Sequence, residues 1–148
     1  MSRMVSAEGG RYGVSTAPQV SEQWQLEGLT PPSRLFGANG ICTGADGRIY
    51  VAQVSGSQIS AVDIDTGGIE TISPKGGDIV APDDLVFDPE GNLYVTEITE
   101  GRVCIRKPNG QIHIVQGDMP CANPIAFHHG RLFAGECREG GRIMELDL

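Results

Sequence analysis

The sequence predicts an all-β chain assembled from a repeated four-stranded unit, and three observations lead there. NGICTGADGRIYVAQ (39–53), DDLVFDPEGNLYVTE (83–97) and NPIAFHHGRLFAGE (123–136) align almost residue for residue, at spacings of 44 and then 40 residues. Twenty-one glycines and nine prolines punctuate short alternating apolar runs. No window of eleven or more residues carries a convincing 3.6-residue apolar period, so almost no helix is expected. Four short strands in a repeat of about 40–45 residues is the signature of a β-propeller blade.

The elements run in chain order. Residues 1–19 lack strand alternation and are expected to be a flexible leader. VSEQWQLEGL (20–29) is an isolated strand candidate, cut off from the first repeat by Pro31-Pro32, which forbid regular pairing. The first blade spans 36–78, with strand candidates around the NGI start, IYVAQ, SQISAVDID and GGIETIS. The second spans 79–118, with DDLVF, a Pro-Glu-Gly turn, NLYVTE, GRVCIRKP and GQIHIVQ. The third, 119–148, has NPIAF, RLFAGE and GRIMELDL and lacks its outer strand, which residues 20–29 are expected to supply as a closing strand.

Three blades cannot close a ring, because propellers run from four to eight. The chain is therefore expected to form half of a six-bladed propeller. The other half is either a second copy, each exchanging its closing strand with the other, or a complementary propeller chain or further part of a longer polypeptide.

A formal net charge of −8 and no Lys/Arg cluster argue against nucleic acid or an anionic membrane, both of which need a basic footprint. A cation or a small neutral molecule is the easier partner. The longest apolar runs, four or five residues, fall far short of the roughly 20 needed to span a bilayer. The first residues lack a secretory apolar core, so a cytoplasmic chain is expected. Cys42, Cys104, Cys121 and Cys137 have no C-x-x-C spacing and read as free thiols, the first two within strands.

In a propeller the first strand of each blade lines the central channel and starts at the face where the second strand ends. Asn39, Asp83 and Asn123 would thus ring one mouth, with Gln53, Glu97 and Glu136 behind them. These side chains offer hard oxygen donors suited to calcium, magnesium or manganese. His128 and His129 fall at the opposite end of the same strand, His113 in an outer strand, and Trp24 in the closing strand, where packing is expected rather than chemistry.

GANGICTGADGRIYVAQ and APDDLVFDPEGNLYVTE resemble blades of the gluconolactonase, regucalcin and lactonase-like family, six-bladed propellers that hold a divalent cation at the channel mouth. The resemblance covers 36–148. It implies that Asn39 of NGI and Asp83 of PDDL bind metal, with Asn123 of NPI in the corresponding place of the next blade. Calcium leads, with magnesium, manganese or zinc as alternatives. Asp84 stands where that family usually has Gly, and no E-G-P start supplies the family's metal-binding Glu, which would come from the other half-ring. The implied activity is metal-dependent hydrolysis of a small cyclic ester or related carbonyl compound. Asp83 is the first catalytic candidate, Asp84 and Glu97 support it as acid or base, and Gln53, Glu136 and Asn123 line the substrate. A propeller lyase or condensing enzyme, and a non-catalytic ligand-binding scaffold, are the alternatives.

Overall fold

A computed structural model describes Gln23 and residues 27–148. Eleven strands and no helix occur among the described residues, in three antiparallel sheets that each run in simple sequence order. Blade one holds β1 (Ala38–Thr43), β2 (Ile49–Gln53), β3 (Gln58–Val62) and β4 (Ile69–Ser73). Blade two holds β5 (Pro82–Phe87), β6 (Leu93–Glu97), β7 (Arg102–Arg106) and β8 (Ile112–Gln116). Blade three holds β9 (Ala122–His128), β10 (Arg131–Glu136) and β11 (Ile143–Leu146). The innermost strands β1, β5 and β9 lie side by side. The chain is a partial β-propeller, as the repeat predicts.

The hairpin turns explain where each strand stops. Asp88-Pro89-Glu90-Gly91 closes with the Gly91 N–H donating to the Asp88 carbonyl at 3.1 Å, and Gly91 sits at a φ of 81°, which L side chains rarely adopt. Asp88 also accepts from the Asn92 N–H at 2.8 Å and from the Tyr94 hydroxyl at 3.2 Å, locking the turn onto the next strand.

Blade two lies between the other two blades, and its alternation divides its side chains between them. Leu85, Leu93, Val95 and Cys104 pack toward blade one, against Ala52 and Ile59. Tyr94, Val103 and Ile105 pack toward blade three, against Ile125, Leu132 and Ala134. With both faces covered, every residue of β6 is buried, whereas β1 at the end of the arc alternates between exposed and half-buried. An aromatic contact recurs at each joint. The Tyr50 ring meets Phe87 edge-on at 4.8 Å, and Tyr94 stacks on Phe127 at 6.3 Å.

Most of the expected closing strand, 20–29, lies outside the described residues, as does the 1–19 leader. Among the described residues no strand pairs with the outer edge of β11. Residues 28–30 and Leu35 lie beside blade one, where Leu29 and Leu35 border Ile41, Ile49 and Val51. No helix of the described residues is long and apolar enough to cross a membrane.

Candidate functional site at the strand starts

Each innermost strand carries a β-bulge at the same place. Asn39-Gly40 face one residue of β2, Asp83-Asp84 face Thr96 of β6, and Asn123-Pro124 face Gly135 of β10. A bulge inserts one unpaired residue, bends the strand and re-aims its side chain. The NGI, DDL and NPI starts are therefore where the backbone leaves regular pairing. Two adjacent carboxylates can open a strand in a packed blade because this is not a regular strand position.

Asn39 and Asp83 meet across the first joint, the Asn39 Nδ2 donating to Asp83 Oδ1. Asn39 is exposed, while Asp83 is only 3% exposed. Burial pushes the Asp83 carboxyl above its ordinary range, and the charge of the neighbouring Asp84 adds to the shift. Gly40 makes this approach possible. A Cβ there would lie 2.6 Å from Asp84 Cα and 2.7 Å from the Asp83 carbonyl oxygen, inside any tolerable contact.

Asp84 works in the opposite direction along the ring. Its Oδ2 accepts the Ile125 N–H of β9 at 3.0 Å and its Oδ1 accepts the Leu85 N–H at 2.9 Å, so both oxygens are engaged by backbone. The Thr96 hydroxyl closes the bulge by accepting the Asp84 N–H at 2.9 Å. Thr96 was not singled out by sequence reasoning. Its signal is that it sits directly opposite the doubled carboxylate in a buried strand. Asn123 occupies the equivalent bulge in blade three, half-buried, and makes no side-chain hydrogen bond among the described residues.

Gln53, Glu97 and Glu136 are brought to equivalent places, and all three turn into their own blades. Gln53 Oε1 accepts the Phe36 N–H at 2.8 Å and Gln58 Nε2 at 3.0 Å, while its own amide donates to Ser60 Oγ at 2.9 Å. Glu97 Oε2 accepts the Val80 N–H and Arg102 Nη2, both at 2.8 Å. Glu136 accepts Arg142 Nη2 at 2.8 Å and Nε at 3.0 Å, with Arg138 at 3.3 Å. Its Arg142 hydrogen bonds, helped by Arg138, lower the Glu136 carboxyl to about 2. The recurring pair of a strand-two end with a residue five or six positions on, Gln58, Arg102 or Arg142, is the feature that sequence reasoning missed. In blades one and two the same acceptor also holds the chain entering the blade, at Phe36 and Val80.

One carboxylate of this set is incompletely satisfied. Glu97 Oε1 and Arg102 Nε are buried side-chain atoms without a hydrogen-bond partner among the described residues. Beside them the Cys104 thiol is pushed upward by burial first and by the Glu97 charge second, so it is held neutral and inert. Cys42 is likewise raised, to about 12, by burial and then by Asp84.

Among the described residues no three His, Cys, Asp or Glu side chains gather as a metal-ligating group. The chemistry of the bulge positions nevertheless suits a hard cation. Asp83 is a buried carboxylate beside a carboxamide, pairs with no Lys or Arg among the described residues, and is repelled by Asp84. His128 and His129 face each other at 4.0 Å between ring centroids in the β9–β10 turn, at the far end of β9 from Asn123.

No protein-family model matches the sequence, and no curated protein matches it. Solved structures do, at the level of fold. A protein described as a gluconolactonase superposes with a TM-score of 0.66 at 19% identity, covering 75% of this chain and 45% of that one. Virginiamycin B lyase from Staphylococcus aureus gives 0.57 at 20% identity, covering 77% and 42%. The nidogen/laminin complex gives 0.65 at 18%, covering 73% and 43%. The chain thus spans less than half the length of each of these structures, which include enzymes and a complex of a different kind.

Proposed function

We propose that this chain contributes the mouth of a propeller hydrolase of the lactonase type, acting on a small cyclic ester or related carbonyl compound. The carrying observation is Asp83: a buried carboxylate on a strand bulge, touching Asn39, with its proton affinity raised and no cationic partner among the described residues. Asn39, Asp83 and Asn123 would hold a divalent cation, calcium first, with a further carboxylate arriving from the other half-ring. Such a cation, when bound, supplies Lewis acidity toward the carbonyl oxygen and lowers the pKa of a water.

The remaining work falls to the chain's own groups. Asp83 is the proton acceptor, because a carboxyl pushed upward is a better base at neutral pH than an ordinary one. Asn39 fixes the Asp83 carboxylate by donating to it. Asp84, with both oxygens engaged by Leu85 and Ile125, positions Asp83 through their shared bulge. Gln53, Glu97 and Glu136 frame the wall and keep the strand ends in place.

The test pairs thermal shift with hydrolysis. Calcium, magnesium, manganese and zinc are each added to the protein, and a panel of five- and six-membered lactones is assayed. Asp83→Asn should abolish the cation-dependent rise in melting temperature and reduce hydrolysis by about 100-fold. His129→Ala should change neither. An unaltered cation response in Asp83→Asn would sink the assignment. A normal cation response with no lactone hydrolysed would favour the ligand-binding or lyase readings.

A further inference from the structure

The two ends of the arc are halves of the joint that already holds the blades together, and the repeat register shows which residue stands where. In the joint between blades one and two, Tyr50, Ala52 and Ile59 form one side, with Leu85, Leu93 and Val95 on the other. Register pairs Ala52 with Ile59 and Gly135 with Ile143, and it pairs Gln53 with Ala38, Glu97 with Pro82 and Glu136 with Ala122. Phe133, Gly135 and Ile143 of blade three therefore stand where Tyr50, Ala52 and Ile59 stand in blade one. At the other end of the arc, Ile41, Ile49 and Val51 stand where Leu85, Leu93 and Val95 stand in blade two.

Exposure differs sharply between equivalent positions. Ile59 is fully buried but Ile143 is 72% exposed, and Leu85 is 2% exposed but Ile41 is 64%. On blade three Pro124, Ala126, Phe133, Gly135 and Ile143 line a shallow apolar cleft with almost no polar surface. On blade one Leu35, which precedes Phe36 as Ile79 precedes Val80, lies beside Ile41, as the fully buried Ile79 lies in the first joint. One end presents the giving side of a joint and the other presents the receiving side.

We propose that a second copy of this chain docks by these ends: the blade-three face of each copy receives the Ile41, Ile49 and Val51 face of the other, closing a two-fold ring of six blades. Two observations select a second copy over another occupant. The chain carries both complementary sides, so two copies satisfy both at once, as a two-fold assembly requires. Two copies also approach the full length of the superposing propellers, of which one copy spans 42–45%. This assembly does not depend on the proposed hydrolysis, and its test reads mass rather than activity.

Native mass spectrometry and sedimentation of the full chain at about 20 µM should show a species of twice 15.7 kDa. Ile41→Asp and Ile143→Asp place a charge on opposite ends, each at an exposed position that the single chain tolerates. Each should convert the dimer to monomer with the β-sheet circular dichroism retained, weakening association at least about 100-fold by burying an unpaired charge. A wild-type monomer, a dimer that survives both substitutions, or a ring completed only by a different polypeptide would each overturn the proposal.

Discussion

Replacing Arg102 by Gln separates the two tasks that Glu97 performs. The Glu97 side chain is fully shielded from solvent and Arg102 is 22% exposed, with 2.8 Å between Oε2 and Nη2. Removing one partner of a buried pair costs about 3–5 kcal/mol, because the survivor is left charged and unpaired. Two details place Arg102→Gln near the lower end, about 3 kcal/mol: Val80 still donates to Glu97, and the new amide can donate as Gln58 does to Gln53. Glu97→Gln should cost less, about 1 kcal/mol, since Arg102 reaches solvent and keeps the Asp78 carbonyl. The double variant rebuilds in blade two the neutral pair that blade one already uses. It should cost about 1 kcal/mol or less, leaving a coupling of about 3 kcal/mol in the cycle. Urea titration reads this directly, with Arg102→Gln lowering the midpoint by about 2 M for a slope near 1.5 kcal/mol/M. An additive cycle, or a loss below about 1 kcal/mol for Arg102→Gln, would show that the pair is not what holds the strand-two end.

Two further outcomes rest on the geometry. Gly40→Ala forces a methyl to within 2.6 Å of Asp84 Cα, and the overpacking should cost about 1–3 kcal/mol and lower the melting temperature by roughly 4–12 °C; an unchanged melting temperature would show that β1 and β5 separate freely. For Glu136 the folded carboxyl sits at about 2 against an ordinary 4.5, so its stabilisation is complete above pH 4.5 and is lost as pH falls toward 2. Glu136→Gln should accordingly flatten the stability profile over that window and converge with wild type at its acid end, measured as urea midpoints against pH. A raised carboxyl such as Asp83 has the opposite sign, its native state losing stability as pH rises above about 4, so Asp83→Asn should relieve that loss rather than deepen it.

The fold was legible because its signal is redundant. Three copies of the same alternation, each ended by turn residues, place ten of the eleven strands before any side-chain contact is known, and β11 is fixed by register with β10. The pairing of Asn39 with Asp83 was legible only as far as equivalent repeat positions imply neighbouring places on the ring. The inward turn of Gln53, Glu97 and Glu136 was not legible. A polar residue closing an apolar run reads the same whether it reaches toward the channel or folds back onto its own hairpin, and the choice depends on a partner five or six residues later. Gln58, Arg102 and Arg142 are not one residue type, so a search for identical repeats passes over them. The bulges were hidden for another reason: NG, DD and NP share no residue at their second position, although the backbone departs from pairing at all three.

That variability at a constant backbone position separates scaffold from chemistry in this chain. The bulge recurs in every blade, so it belongs to the architecture, and its occupants answer to local demands. Gly40 lets blade two approach. Asp84 reaches over to hold the Ile125 N–H of blade three. The Pro124 ring lies against Gly135, where a Cβ would come within 2.9 Å of it. The residue before each of these, Asn39, Asp83 or Asn123, is under no such packing duty, yet each is a short side chain with an oxygen. Three blades independently place a carboxamide or carboxylate at the one position the strand re-aims, and packing alone gives no reason for that agreement. A common ligand at the mouth does, and this is why the functional reading rests on Asn39, Asp83 and Asn123 rather than on the better-bonded Gln53, Glu97 and Glu136.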